Sequence, residues 1–455
     1  MNTQRSTIRC GGCGWVAAAA EAYPFRCPHA NGDDVDHVLV RVLDTTALRF
    51  PDGSEPDPFA RYRALMHSYH LATDAGLDDD EYLQLIAALE RSVAAVDGHG
   101  FQVTPMHRNA LLSDRLRFSD AGGVWVKDET RNVSGSHKGR HLMGLLIHLE
   151  VAERLGLTPP GRSTLAIASC GNAALAAAVV ARAGGRPLRV FVPADADAGI
   201  VARLRQLGSD VVACPREPGV AGDPAYLRLR EELAAGAVPF TCQGNENGLA
   251  IEGGETIAYE IASDLAGLPL DHIVIQVGGG ALASACAQGL HEAAELGAIT
   301  SEPRLHTVQT TGGHPLERAY TRVRALLAGG GAGQRDDAGR MRRADVERAL
   351  ASAARHRSAY MWPWESEPKS IAAGILDDET YDWRAVVGAM LATGGRPLVV
   401  TEERLAEASD LGAATGIPVD PTGSSGLAGL LDLRQSGVVG PDERVAVLFT
   451  GVRRD

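Results

Sequence analysis

From residue 124 onward the sequence alternates short apolar runs with helical patterns, and this alternation constrains the fold more than any other feature. Runs at 124–127, 164–168, 188–193, 210–214, 238–242, 272–277, 304–309, 397–401 and 445–450 have the length and apolar character of buried strands. Between many of them lie helical stretches. One carries Leu142, Leu145, Leu146 and Leu149; another is the alanine-rich segment 173–183. Strands alternating with helices predict an α/β protein with mostly parallel, doubly wound open sheets, here two. A chain of 455 residues has room for two or three packed domains.

Bulk properties narrow the partners. The net charge of −13 opposes general affinity for nucleic acid, which needs a basic face, but leaves room for a local phosphate pocket. No apolar run reaches the ~20 residues of a membrane span. Met1 to Arg9 is polar and lacks the apolar core of a signal peptide. Of seven cysteines, three cluster near the N-terminus and four are scattered, which is no disulfide framework and reads as reducing cytoplasm.

Residues 1–45 form a separate module in this reading. Cys10-Gly-Gly-Cys13 is followed by Cys27-Pro-His29, and two cysteines two residues apart can share a metal from a tight turn. We expect a zinc-ribbon-like site of Cys10, Cys13, Cys27 and His29, with His37 as the other candidate fourth donor. The competing reading is a degenerate knuckle that packs without metal. Residues 56–97 read as a helical lead-in, with Asp78-Asp79-Asp80-Glu81 suited to a helix N-terminus. Residues 328–343, rich in glycine and charge, read as a mobile surface insertion.

Four segments carry chemistry. Lys138 follows the small residues Ser134, Gly135 and Ser136 between a strand and an amphipathic helix, where the helix dipole favours the neutral, imine-forming amine. Ser169-Cys170-Gly171-Asn172 follows a strand and opens a helix, offering backbone amides to a carboxylate. Gly278-Gly279-Gly280-Ala281-Leu282 has neither dinucleotide nor Walker spacing, which leaves a site for a single phosphate. Thr450 ends a buried strand and can hydrogen-bond a ring nitrogen without holding it protonated.

In this order the set resembles the fold-type II pyridoxal-phosphate enzymes, over roughly residues 100–455, and is most similar to threonine synthase, with serine/threonine dehydratase and cysteine synthase as near relatives. Further matching segments are Val103-Thr-Pro-Met106, Ile251-Glu-Gly-Gly-Glu-Thr256, Gly312-Gly-His-Pro-Leu316 and Val419-Asp-Pro-Thr-Gly423. The resemblance implies a tryptophan-synthase-β-like architecture. Its large cofactor domain would comprise 46–150 and 251–455, its smaller α/β domain 151–250. It implies that Lys138 carries pyridoxal 5′-phosphate as a Schiff base and moves the Cα proton. Asn172 would bond the ring 3′-oxygen, residues 278–282 the phosphate, and Thr450 would face the pyridine nitrogen. Ser136, Ser169, Cys170, Gly171 and Arg140 would contact substrate. The sequence departs from the family at His137, where phenylalanine is usual, at Gly139, and at Cys170. His137 reads as a packed ring or a second acid–base; Cys170 reads as a small buried filler.

The leading function is elimination or replacement on a small L-amino acid with an oxygen leaving group at Cβ or Cγ. A threonine-synthase-like reaction competes with a dehydratase and with a β-replacement synthase, and an inactive scaffold is the remote alternative. Arg140, His141 and Arg131 are the cations near Lys138 in sequence, and they tilt the expectation toward an anionic, phosphorylated substrate. We expect a cytoplasmic homodimer with no nucleic-acid or membrane partner.

Overall fold

The computed structural model describes residues 5–454 apart from 217–221, 266, 330–335, 337, 338 and 367. Twelve strands are present among them: β1 Ser6–Cys10, β2 Leu39–Leu43, β3 Met106–Arg108, β4 Gly123–Asp128, β5 Leu165–Ala168, β6 Leu188–Pro193, β7 Asp210–Cys214, β8 Val238–Pro239, β9 His272–Gln276, β10 Arg304–Thr310, β11 Pro397–Val400 and β12 Arg444–Phe449. The chain is α/β, as the alternation predicts. A six-stranded sheet has the order β11-β10-β9-β12-β4-β3, a four-stranded sheet the order β7-β6-β5-β8, and β1 and β2 form an antiparallel pair. In the two larger sheets only the β3–β4 pairing is antiparallel. Half of the glycine-rich stretch 328–343, residues 330–335, 337 and 338, lies outside the described residues.

The central strands read as unbroken apolar runs because both faces are covered. Along β9 and β12, Ile273, Ile275, Ala446 and Leu448 pack on one side with Leu282, Cys286 and Val387. Val274, Val445, Val447 and Phe449 face the other way, against Leu427, Leu430 and Leu431. The two-residue side-chain period of a strand thus feeds two helical layers. β8 is shorter than its apolar run, 238–242. Pro239 has no N–H to continue the ladder, although Phe240 still donates to the Ala166 carbonyl at 2.9 Å. The acidic run at 78–81 forms a capping box on the helix Asp79–Asp97: Asp78 accepts from the Glu81 amide at 2.8 Å, and Glu81 returns the bond at 3.1 Å.

A buried charge cluster fastens the helix Lys138–Arg154 to the helix Ala250–Asp264. Arg140 donates to Glu129 at 2.8 Å, Glu260 at 2.5 Å, Thr256 at 2.9 Å and Thr104 at 3.1 Å, and Lys127 meets Glu260 at 2.7 Å. All four charged side chains are sealed from solvent. This corrects the expectation that Arg140 faces substrate. Two residues along a helix turn the side chain about 200°, so Arg140 points away from the face that Lys138 presents.

Removing Arg140 would leave two carboxylates facing one lysine in a dry interior. Arg140→Ala is therefore expected to destabilise the fold by about 3–5 kcal/mol. Urea unfolding checks this; a loss below about 1 kcal/mol would mean that the cluster does not bear on stability.

Candidate active site

Lys138 is placed by backbone pairing between the loop after β4 and the residues after β12. Val452 donates to the Gly135 carbonyl at 2.8 Å, and His137 donates through its amide to the Thr450 carbonyl at 3.1 Å. The turn that allows this runs through left-handed conformations at Ser134, φ 59°, and Gly135, φ 70°. A Cβ on Gly135 would lie 2.5 Å from Val452, so this position needs glycine for both conformation and space. Lys138 then opens its helix, half-buried, at the carboxyl ends of β4 and β12. Open parallel sheets bind ligands at this edge.

The two histidines beside it are neutral packing residues. Burial, reinforced by the Lys138 charge, holds His137 well below the usual histidine range, and its Nδ1 donates to the Thr450 carbonyl at 3.1 Å. Burial likewise pushes His141 down to about 3; its Nδ1 pairs with the Ala250 carbonyl at 2.8 Å. Arg131 is exposed. Ser136 is fully buried, and its Oγ has no partner among the described residues.

β5 ends at Ala168 and the next helix begins at Asn172, which leaves Ser169, Cys170 and Gly171 as a short turn. Ser169 and Gly171 are half-buried, and the Gly171 amide points to Ser169 Oγ at 3.4 Å. Cys170, expected as a buried filler, is exposed because the turn lies outside both elements. Asn172 is held from behind: its Oδ1 accepts from Arg454, which also donates to the Ser134 carbonyl at 2.7 Å.

β9 runs into Gly278, Gly279 and Gly280, and Gly280, φ 103°, is the N-cap of the helix Ala281–Glu295. Ala281 and Leu282 are buried. The loop is braced by Thr380, which donates to the Gly278 carbonyl at 3.0 Å, and by the Asp382 amide, which donates to the Gly279 carbonyl at 3.1 Å. A Cβ would meet Asp377 Oδ2 at 2.2 Å if placed on Gly278 and Tyr381 at 2.8 Å on Gly279. Thr450 is buried, and its Oγ1 accepts from Gln276 Nε2 at 2.8 Å. An amine, a bare-backbone helix N-terminus and an oriented hydroxyl all sit at strand ends, a donor set that fits a phosphate-bearing pyridine aldehyde.

Sequence reasoning missed Asp377, Tyr381, Asp382, Gln276 and Arg454. The polar run Leu376-Asp-Asp-Glu-Thr-Tyr-Asp382 was the available signal, since six of its seven residues are acidic or hydroxylated and it lies between apolar segments.

A second constellation lies in the N-terminal pair of strands. Cys10, Cys13, Cys27 and His37 offer ligand atoms that all lie within 4.8 Å of one another. The Cys13 amide points at Cys10 Sγ at 3.5 Å, and His37 presents Nδ1 to Cys10 Sγ at 3.5 Å while its Nε2 meets Asp33 at 3.0 Å. An orienting carboxylate of this kind fixes a ligating imidazole. His29, expected as the fourth donor, approaches only Cys13, at 3.6 Å. The chain returns to the knuckle along β2, which brings the residues just before it, His37 among them, beside Cys10. The four-donor set fits zinc.

Comparison with known proteins shows the family and the fold. Residues 99–451 match the family described as pyridoxal-phosphate dependent enzyme. The threonine synthase of Methanosarcina acetivorans is 27% identical over 375 residues, covering 82% of this chain and 78% of that protein. The L-threonine ammonia-lyase of Thermotoga maritima is 31% identical over 184 residues, covering 39% of this chain and 41% of that protein. The processed form of threonine deaminase isoform 2 from Solanum lycopersicum aligns with a TM-score of 0.57 at 18% identity, over 84% of this chain and 86% of that one. Maize serine racemase aligns with a TM-score of 0.57 at 18% identity, over 81% and 94%.

Protein purified without added metal is expected to carry about one zinc per chain. His37→Ala should lose it, Asp33→Ala should weaken its retention by about 10–100-fold, and His29→Ala should keep it. Metal analysis decides; loss in His29→Ala with retention in His37→Ala would reverse the assignment of the fourth donor.

Proposed function

Because this chain belongs to the pyridoxal-phosphate-dependent enzymes, we propose that it catalyses elimination or replacement at Cβ or Cγ of a small L-amino acid with an oxygen leaving group, and that Lys138 carries the cofactor. The observation that carries this reading is the convergence of Lys138, the 278–282 loop and Thr450 after the adjacent strands β4, β9 and β12, with Asn172, which follows β5 of the other sheet, joined to them through Arg454. When bound, pyridoxal phosphate supplies the electron sink that lets the Cα proton and the leaving group depart.

This chain's residues divide the remaining work. Amides of Gly278 to Leu282, at the positive end of their helix, would hold the phosphate. Lys138 would take the Cα proton and return it. The Ser169–Gly171 turn, at the N-terminus of the helix Asn172–Ala183, would receive the substrate carboxylate, and Asn172 would meet the ring 3′-oxygen. Thr450 accepts from Gln276, which leaves its own hydroxyl proton to donate to the ring nitrogen. A nitrogen that accepts stays unprotonated, and the milder sink favours loss of a leaving group over transamination. With Arg140 committed to the interior and His141 neutral, two of the three cations expected to clamp a phosphorylated substrate do not serve, and Arg131 is exposed.

The names of similar proteins support the same class: threonine synthase and L-threonine ammonia-lyase. In this reading the enzyme is a cytoplasmic homodimer whose seven cysteines are all unpaired, as suits a reducing compartment.

Borohydride reduction followed by peptide mapping is expected to place the cofactor on Lys138; a label on another lysine, or none, would sink the assignment. Thr450→Asp is expected to protonate the ring, shift the visible band and divert flux toward transamination or racemisation. An unchanged spectrum and product profile would remove Thr450 from the ring nitrogen.

A further inference from the structure

Arg454, at the end of the chain, ties the two sheets together beside Lys138. Its guanidinium donates to Asn172 Oδ1, at the start of the helix that follows β5, and to the Ser134 carbonyl at 2.7 Å, in the turn that leads to Lys138. β5 belongs to the four-stranded sheet, whereas the Lys138 turn follows β4 of the six-stranded sheet. One side chain therefore spans both. Residue 135 leaves room for it by being glycine, since a Cβ there would lie 3.2 Å from Arg454 Nη2. Ser134 is also held from its other end, because its amide donates to Asp97 Oδ2 at 2.8 Å. Both backbone groups of this left-handed residue are thus engaged by charged side chains.

A guanidinium carries donors only, so the end of the Asn172 amide that meets Arg454 is the oxygen. The nitrogen end faces the other way. A Cβ on Gly451, the residue after Thr450, would lie 2.9 Å from Asn172 Nδ2. Asn172 therefore presents its N–H donors on the side where the last strand brings in Thr450. An untethered asparagine has no such preference, because the two ends of its amide are alike in size and its last torsion is broad and two-fold. Arg454 is itself exposed, so little folding stability rests on it. What it supplies is orientation.

Resting on the reading that Asn172 meets the ring 3′-oxygen, we propose that Arg454 is a positioning residue. It fixes the Asn172 amide with its nitrogen toward the cofactor, and by gripping Ser134 it keeps that donor in register with Lys138. The 3′-oxygen of pyridoxal phosphate bears negative charge, so it is matched by an N–H and repelled by a carbonyl oxygen. A hydrogen bond to a charged acceptor is among the stronger ones, so its loss is felt in cofactor binding and in the visible band.

The test compares Arg454→Ala, Arg454→Lys, Asn172→Ala and the Arg454→Ala/Asn172→Ala double variant, each titrated with pyridoxal phosphate and read by its visible band. Arg454→Ala is expected to weaken cofactor binding about tenfold and to move the band in the same direction as Asn172→Ala. Arg454→Lys keeps a donor for Oδ1 but not the fork, and is expected to stay within about threefold of wild type. In the Asn172→Ala background, removing Arg454 is expected to add less than about twofold, because it acts through that amide. If Arg454→Ala does not fold, Arg454→Met, which keeps the stem without the donors, takes its place in the same cycle. Additive effects, or wild-type band and affinity in Arg454→Ala, overturn the positioning role and leave Asn172 at the 3′-oxygen. Wild-type band and affinity in Asn172→Ala overturn the Asn172 reading and the role of Arg454 with it.

Discussion

The active site depends on a few backbone hydrogen bonds between residues 135–137 and 450–452. Through them the end of the last strand fixes the start of the Lys138 helix, although the two are more than 300 residues apart in sequence. The same residues reach further: Asp420 donates through its amide to the Gly451 carbonyl at 3.0 Å, and Arg453 to the Pro418 carbonyl at 2.7 Å. The C-terminal segment is therefore a seam joining the lysine loop, the Val419–Gly423 loop and Asn172. Ser134 and Gly135 must adopt left-handed backbone to make the seam, which explains why small residues precede the lysine.

Behind the seam, the lysine helix is held by charge. Arg140 and Lys127 offset Glu129 and Glu260, and although burial alone would raise the Glu260 carboxyl, the two cations pull it below the usual carboxylate range. Such a cluster adds little net stability compared with apolar packing, but it penalises any arrangement in which one member strays. Arg140 bonds both the strand-end Glu129 and the helix residues Thr256 and Glu260, so the rotation of the Lys138 helix about its axis is specified. That rotation turns Lys138 toward the cleft.

Much of this was legible in the sequence because it is local. Nine apolar runs marked nine strands, since a strand buried on both faces has no polar interruption. The three glycines stood out in the sequence because they follow a strand almost directly, where the carboxyl edge is reached by default. Arg140 was misplaced by treating sequence proximity as spatial proximity, and helical geometry alone would have corrected it. The choice between His29 and His37 was not local, because it depends on how the antiparallel pair folds back. The carboxylates beside the glycine loop were hidden for the same reason. Asp377 and Asp382 lie about 100 residues beyond the glycine loop, with no periodicity linking them to it.

The N-terminal module bears on the segment that carries them too. Its cysteine knuckle offers the Gly11 carbonyl to Arg384. Asp36, almost fully buried, sits near Arg357 and Arg384, and its amide donates to the Ala354 carbonyl at 2.7 Å. Asp34 accepts from the Ser358 amide at 2.7 Å. These contacts converge on the segment 354–384, whose helix Trp383–Thr393 begins immediately after Asp382. The turn that carries Asp382 is therefore clamped on one side by the glycine loop and on the other by the N-terminal module. Contacts from the N-terminal module and from the mid-chain glycine loop hold the turn on both sides, so the brace of the loop is itself kept in place.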